Sequence, residues 1–133
     1  MAKLLLVDDD EALRAIIALL LRNTGHTVVE ASDGAEALER VSVEPFDLFV
    51  LDVMMPDMDG YMLTRRLRAQ PVTRDVPILI LTANLRGPDP ELAQLSGADG
   101  YDMKTVNAGR LNRKIAEVLA KRRAPPAPPG PVQ

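Results

Sequence analysis

Positions 48–60 carry the sequence Leu-Phe-Val-Leu-Asp-Val-Met-Met-Pro-Asp-Met-Asp-Gly. The apolar run Leu48–Leu51 predicts a buried strand, and the Pro, Asp and Gly residues beyond it predict a turn. Asp52 therefore lies at the carboxyl end of a buried strand, where open α/β sheets bind their ligands. A carboxylate in that place can bind a hard cation, act as a base or attack phosphorus as a nucleophile.

Strand and helix patterns alternate along the chain, which predicts an α/β fold with a doubly wound parallel sheet and helices on both faces. The predicted strands are Leu4–Val7, His26–Glu30, Leu48–Leu51, Ile78–Leu81 and Gly100–Met103. The first helix has the apolar stripe Leu13, Ile16, Ile17, Leu20 and Leu21, and the second has Gly34, Leu38 and Val41 on one face. The third follows Gly60 to about Ala69, the fourth spans about Asp89 to Ser96, and the fifth follows an Asn107 cap.

The composition is that of a globular protein without a membrane span. The 133 residues are 47% apolar and 26% charged, and no apolar run approaches the roughly 20 residues that cross a bilayer. The apolar stretch at the start of the chain is too short for a secretory signal, so we expect a cytoplasmic location. The absence of Cys excludes disulfides and thiolate metal sites. A net charge of −3 gives no basic surface, so we expect no direct nucleic-acid or membrane partner.

The chain divides into a folded domain and a tail. We expect residues 1–123 to form one domain with one hydrophobic core. Residues 124–133, Ala-Pro-Pro-Ala-Pro-Pro-Gly-Pro-Val-Gln, predict an extended, disordered tail or the remnant of a linker. His26, the only histidine, is expected at the surface without a ligand.

Polar residues follow four of the predicted strands. Asp8 and Asp9 follow the first strand, Asp52 the third, Thr82 the fourth and Lys104 the fifth. Right-handed parallel crossovers place all these strand ends at one edge of the sheet. Crowded carboxylates repel one another unless a cation is present, and an oxygen-only cluster suits Mg²⁺. The threonine can donate a hydrogen bond to a phosphoryl oxygen, and the lysine can neutralise its charge.

Four segments match a known family in order and spacing: Leu5–Asp9, Leu51–Gly60, Leu81–Ala83 and Gly97–Lys104. From Lys3 to about Arg123, the chain resembles a receiver domain of two-component response regulators, of the CheY-like kind. The resemblance implies a flavodoxin-like sheet of five strands in the order 2-1-3-4-5. It also implies a signalling phosphoacceptor that catalyses its own phosphotransfer and slow autodephosphorylation, without being an enzyme in the usual sense.

The resemblance also implies residue roles. Asp52 accepts a phosphoryl group from a histidine kinase or phosphotransfer protein, and Asp8, Asp9, Asp52 and the Met54 backbone carbonyl bind Mg²⁺. The residues that bind the phosphoryl group and switch the domain are Thr82, Ala83, Tyr101 and Lys104. The residues that tune dephosphorylation are Met54 and Asn84, and because neither is an acid or a base, we expect slow phosphate loss.

The resemblance further implies a protein output partner on the face formed by the fourth helix, fifth strand and fifth helix. The protein would be a monomer or a phosphorylation-dependent dimer. This face holds the departures from the family pattern. Thr105 stands where the family has a Pro in a cis bond, and Asp102 occupies a strand position that is usually apolar. Pro88 and Pro90 shorten the fourth helix, and we expect partner choice to differ from the family norm.

The sequence leaves two alternatives open. Asp8-Asp9-Asp10 also resembles the Asp-x-Asp motif of haloacid-dehalogenase-like phosphatases, which use an Asp nucleophile after the first strand. That family also has an acidic pair after its lysine, whereas positions 105–110 contain no acid. The second alternative is a receiver-like scaffold that binds partners without a phosphorylation cycle.

Overall fold

The computed structural model describes residues 2–83 and 90–123, which form five strands alternating with five helices. The strands are β1 (Lys3–Val7), β2 (Thr27–Ala31), β3 (Leu48–Asp52), β4 (Ile78–Thr82) and β5 (Gly100–Met103). The helices are α1 (Glu11–Asn23), α2 (Gly34–Val43), α3 (Gly60–Arg68), α4 (Pro90–Ser96) and α5 (Ala108–Arg123). No helix in the described ranges is long and apolar enough to cross a membrane.

The strands form one parallel sheet in the order β2-β1-β3-β4-β5. The predicted flavodoxin-like architecture is therefore confirmed. In the register, Val7 of β1 pairs with Leu51 of β3, and Asp52 pairs with Leu81 of β4. The residues that follow these strands consequently share one edge of the sheet.

The core lies in two layers, one on each face of the sheet. Leu5, Phe49 and Ile80 face α2, α3 and α4, whereas Leu4, Val50 and Leu79 face α1 and α5. Successive strand residues point to opposite faces, so both faces must be apolar when both are covered. This explains the unbroken apolar runs from which the strands were predicted.

Short polar side chains begin several helices. The carboxylates of Asp10, Asp33 and Asp59 accept hydrogen bonds from the backbone N–H groups of Leu13, Glu36 and Met62. These bonds satisfy N–H groups that have no partner inside a helix. Asn107 does the same for Arg110 at the start of α5, as predicted.

The stripe predicted for α1 is partly wrong. The residues of α1 that are buried are Ile17, Ala18 and Leu21, while Ile16 is 47% exposed. The small Ala18 side chain lets α1 lie close to the sheet, and Ile16 is about 100° around the helix from Ile17, on the outer side.

The bounds of β2 and the burial of His26 differ from the predictions. β2 begins and ends one residue later than predicted, at Thr27 and Ala31. His26 is half-buried rather than on the surface. Its Nδ1 lies 3.3 Å from the Ala2 backbone nitrogen, which donates the hydrogen bond, and its Nε2 lies 3.2 Å from Asn112 Oδ1. These two contacts join the start of the chain to α5. Asp89 and the tail 124–133 lie outside the described residues.

Candidate functional site

Three carboxylates meet at the carboxyl edge of the sheet. Asp8 follows β1 and Asp52 ends β3, and these side chains are only 2% and 4% exposed. Asp9 is exposed beside them. One carboxylate oxygen from each residue lies within 4.8 Å of those of the other two. The predicted convergence of these carboxylates is therefore present.

Lys104 lies between the two buried carboxylates. Its Nζ is 2.8 Å from Asp8 Oδ2 and 3.3 Å from Asp52 Oδ2, and its side chain is 9% exposed. Its backbone N–H donates to the Thr82 carbonyl at 2.8 Å, which places it directly beyond β5. Lys104 reaches the site although Thr105 follows it, and no described peptide bond is cis.

The charged groups at this edge of the sheet shift one another's pKa values. Burial and then repulsion from Asp8 raise the pKa of Asp52 from 3.8 to about 7, although Lys104 lowers it in part. Burial alone would lower the pKa of Lys104, but its contacts with Asp8 and Asp52 outweigh burial and raise it. The lysine is therefore positively charged at neutral pH, and three carboxyl groups, those of Asp8, Asp9 and Asp52, lie beside this edge of the sheet.

Asp52 Oδ1 is buried and has no hydrogen-bond partner among the residues that the structure describes. Buried polar atoms in proteins are almost always hydrogen-bonded, and an exception is explained by strain, by a catalytic role or by a bound water or ion. Three oxygen ligands fit Mg²⁺, which binds through one or two carboxylates and retains waters. The residues present thus fit the predicted cation.

The connection from β3 to α3 is folded tightly against Asp52. Gly60 donates its N–H to the Val53 carbonyl at 3.0 Å. A Cβ on this glycine would lie 2.3 Å from the Asp52 carbonyl oxygen, so only glycine fits without displacement. Asp57 in the same connection has a positive φ of 67°. Met54 is 71% exposed at the rim of the site.

The other predicted site residues do not all lie beside the carboxylate cluster. Thr82 is buried at the end of β4, and the exposed Ala83 follows it. Tyr101 lies on β5 with the Lys114 Nζ 5.9 Å from its ring centre, outside the carboxylate cluster. Asn84 lies outside the described residues.

Sequence reasoning missed Arg14. Its Nη1 donates to the Asp8 carbonyl at 2.8 Å and its Nε donates to Glu30 at 3.1 Å, which fixes the chain just after β1. The only sequence signal for this role is its place one turn into α1, four residues after the Asp10 cap.

The comparisons with known proteins agree with this geometry. Residues 4–116 match the family model for the response regulator receiver domain. The chain belongs to the response regulator receiver family. Receivers of this family are signalling phosphoacceptors with an acidic Mg²⁺ site, and the predicted resemblance is confirmed. The match does not support the hydrolase alternative.

Individual relatives show how far the likeness extends. The transcriptional regulatory protein AfsQ1 of Streptomyces coelicolor is 39% identical over 121 residues, which are 91% of this receiver and 52% of that protein. This receiver thus spans about half the length of that relative.

Two solved structures are similar over almost their whole length. The chemotaxis protein CheY4 of Vibrio cholerae has a TM-score of 0.82 and 34% identity, covering 89% of this chain and 98% of its own. The receiver domain of the sensor histidine kinase PA1611 from Pseudomonas aeruginosa has a TM-score of 0.80 and 32% identity, covering 90% of this chain and 98% of its own. Its structure has a magnesium ion coordinated in the active site cleft.

Proposed function

We propose that this receiver accepts a phosphoryl group on Asp52 from a histidine kinase or phosphotransfer protein. The observation that carries the proposal is the buried Asp52 Oδ1, which has no hydrogen-bond partner within the described part of the chain and lies beside a charged lysine and two further carboxylates. Asp8, Asp9, Asp52 and the Met54 backbone carbonyl would hold Mg²⁺.

The phosphotransfer step follows from these groups. A carboxylate oxygen of Asp52 attacks the phosphorus atom of the donor, and the bond from phosphorus to the imidazole nitrogen of the donor breaks. The electron pair of that bond stays on the nitrogen, and an aspartyl phosphate forms. When bound, Mg²⁺ supplies positive charge to the phosphoryl oxygens. Lys104 already lies within 3.3 Å of Asp52 and neutralises part of the same charge.

The response to phosphorylation would begin at the same edge of the sheet. Thr82 and the Ala83 backbone bind the phosphoryl oxygens, and the Lys104 ammonium group moves toward the negative charge that the phosphoryl group adds. Tyr101 on β5 couples this movement to the surface between α4, β5 and α5. Such coupling requires two packings of nearly equal free energy, which the phosphoryl group biases.

That surface contains a groove of about 660 Å³ between α4, β5 and α5. Its lining includes Gln94, Tyr101, Lys114 and Lys121. The neighbouring Leu95 is 68% exposed, so the face offers both apolar and charged contacts to a protein. We propose that the output partner binds here, and that the receiver is a monomer or a phosphorylation-dependent dimer.

The boundaries of the unit are proposed on the same grounds. Residues 1–123 would be the receiver domain, and the Pro-rich residues 124–133 a tail or linker remnant. The cytoplasmic location predicted from composition stays a prediction.

Intact-mass measurement tests the phosphoacceptor proposal. The wild type, incubated with Mg²⁺ and a small acyl phosphate, should gain one phosphate. Removal of Mg²⁺ with a chelator should suppress the gain, and Asp52→Asn should abolish it. An equal gain by Asp52→Asn would overturn the proposal.

A further inference from the structure

A two-pronged ion pair joins the end of β5 to the start of α5. Arg110 donates from Nη2 to Asp102 Oδ1 at 2.7 Å and from Nε to Asp102 Oδ2 at 3.1 Å. Two parallel bonds fix the direction of both groups, which a single contact does not. Hydrogen bonding from Arg110 lowers the pKa of the Asp102 carboxyl, so this carboxylate is ionised at neutral pH.

The pair closes a series of bonds around the connection that carries Lys104. Asp102 Oδ1 also accepts from the Met103 N–H at 2.9 Å. Asn107 Oδ1 accepts from the Arg110 N–H at 2.9 Å, and Thr105 Oγ1 accepts from the Asn107 N–H at 3.0 Å. Side chains at both ends of the connection between β5 and α5, residues 104–107, thus restrict its conformation.

This connection contains no proline, so no ring restricts its backbone. Lys104 has a long, flexible side chain and must still contact both Asp8 and Asp52. The position of its ammonium group therefore depends on where its backbone is held. One backbone bond, to the Thr82 carbonyl, holds it on the β4 side. Only Met103 separates it from Asp102 on the other side.

We propose that Asp102 and Arg110 are positioning residues that hold Lys104 at the phosphoacceptor. This inference rests on the proposed function, because it assigns a role in phosphotransfer to a pair that touches no reacting atom. A plain surface ion pair would contribute little to stability and nothing to transfer. A positioning role predicts that Lys104 is displaced when the Asp102–Arg110 pair is broken, whereas a plain surface ion pair predicts no change at Lys104.

The first test measures the initial rate of phosphorylation of the full chain by a small acyl phosphate with Mg²⁺. Asp102→Asn and Arg110→Gln should each slow the reaction about tenfold, since a displacement of about 1 Å is costly in transfer reactions. Arg110→Lys, which retains one charged contact, should recover part of the rate. Arg113→Gln, the same charge change at an exposed position of α5, should react at the wild-type rate.

A double-substitution cycle separates positioning from general damage. In a Lys104→Gln background, Asp102→Asn should cause no further loss, because the group that it positions is already absent. Circular dichroism establishes that every variant is folded at the assay temperature. Rates of Asp102→Asn and Arg110→Gln within twofold of Arg113→Gln, or a full additional loss in the Lys104→Gln background, would overturn the inference.

The second test needs no phosphorylation. The NMR signal of the Lys104 side-chain Cε methylene should shift in Asp102→Asn and Arg110→Gln but not in Arg113→Gln. If the wild type takes up no phosphate, the proposed function fails, and this signal still decides the positioning role. An unchanged Lys104 signal in both variants would overturn it.

Discussion

Gly60→Ala should destabilise the receiver by steric conflict at one point. Gly60 begins α3, and a Cβ there would lie 2.3 Å from the Asp52 carbonyl oxygen and 3.1 Å from Val53 Cα. Ordinary contact begins at 3.4 Å, so backbone atoms must move by about 1 Å. These backbone atoms lie at the end of the buried central strand β3 and directly after it, and they cannot rotate out of the way as a side chain can.

The magnitude follows from two opposing terms. Overpacking of a close contact costs about 1–3 kcal/mol. Alanine in a helix recovers about 0.5–1 kcal/mol relative to glycine. The expected net loss is about 1–2 kcal/mol in the free energy of unfolding, which lowers the urea midpoint by about 1 M or slightly less.

Urea unfolding followed by circular dichroism measures this loss, with Gly109→Ala as the matched control. Gly109 also lies in the first turn of a helix, but its added Cβ would meet only the Asn107 side-chain oxygen at 3.3 Å. We expect that variant to stay within about 0.5 kcal/mol of the wild type or to be more stable. A Gly60→Ala protein as stable as Gly109→Ala would refute the close approach of α3 to Asp52.

Three further predictions concern the site. Mg²⁺ should bind weakly, and Asp9→Ala should weaken it further in a calorimetric titration; tight binding unaffected by this change would count against the site. Because folding raises the pKa of Asp52 from 3.8 to about 7, the metal-free protein should lose stability as pH rises between these values. Asp52→Asn should remove that part of the dependence in urea titrations. Phosphate loss should be slow, because neither Met54 nor Asn84 can take a proton from water near neutral pH. Asn84→Glu should change the half-life, and a wild-type half-life of seconds would contradict the assignment.

The architecture was predictable because each strand is covered on both faces. Continuous apolar runs such as Leu48–Leu51 then mark the strands, and the parallel crossover rule brings their polar ends together. Asp8, Asp52 and Lys104 could be placed at one edge on this basis alone, and the structure brings them into contact.

The features that the sequence did not predict depend on tertiary contacts. Ile16 fits the α1 stripe as well as its neighbours do, but the approach of the helix to the sheet buries Ala18 instead. Asp102 was identified only as a departure from the family pattern in β5, and its partner Arg110 is eight residues away across a turn. Sequence periodicity contains no information about such a pair, nor about Asp52 Oδ1, which has no hydrogen-bond partner among residues 2–83 and 90–123.

The proposed phosphoacceptor role of Asp52 is tested by identifying the phosphorylated residue. After incubation with Mg²⁺ and a small acyl phosphate, the wild type would be reduced with borohydride, which converts an aspartyl phosphate into a stable homoserine. Digestion and tandem mass spectrometry then locate that residue. We expect homoserine at position 52 alone. Modification at Asp8 or Asp9 with an intact Asp52 would contradict the proposed role of Asp52.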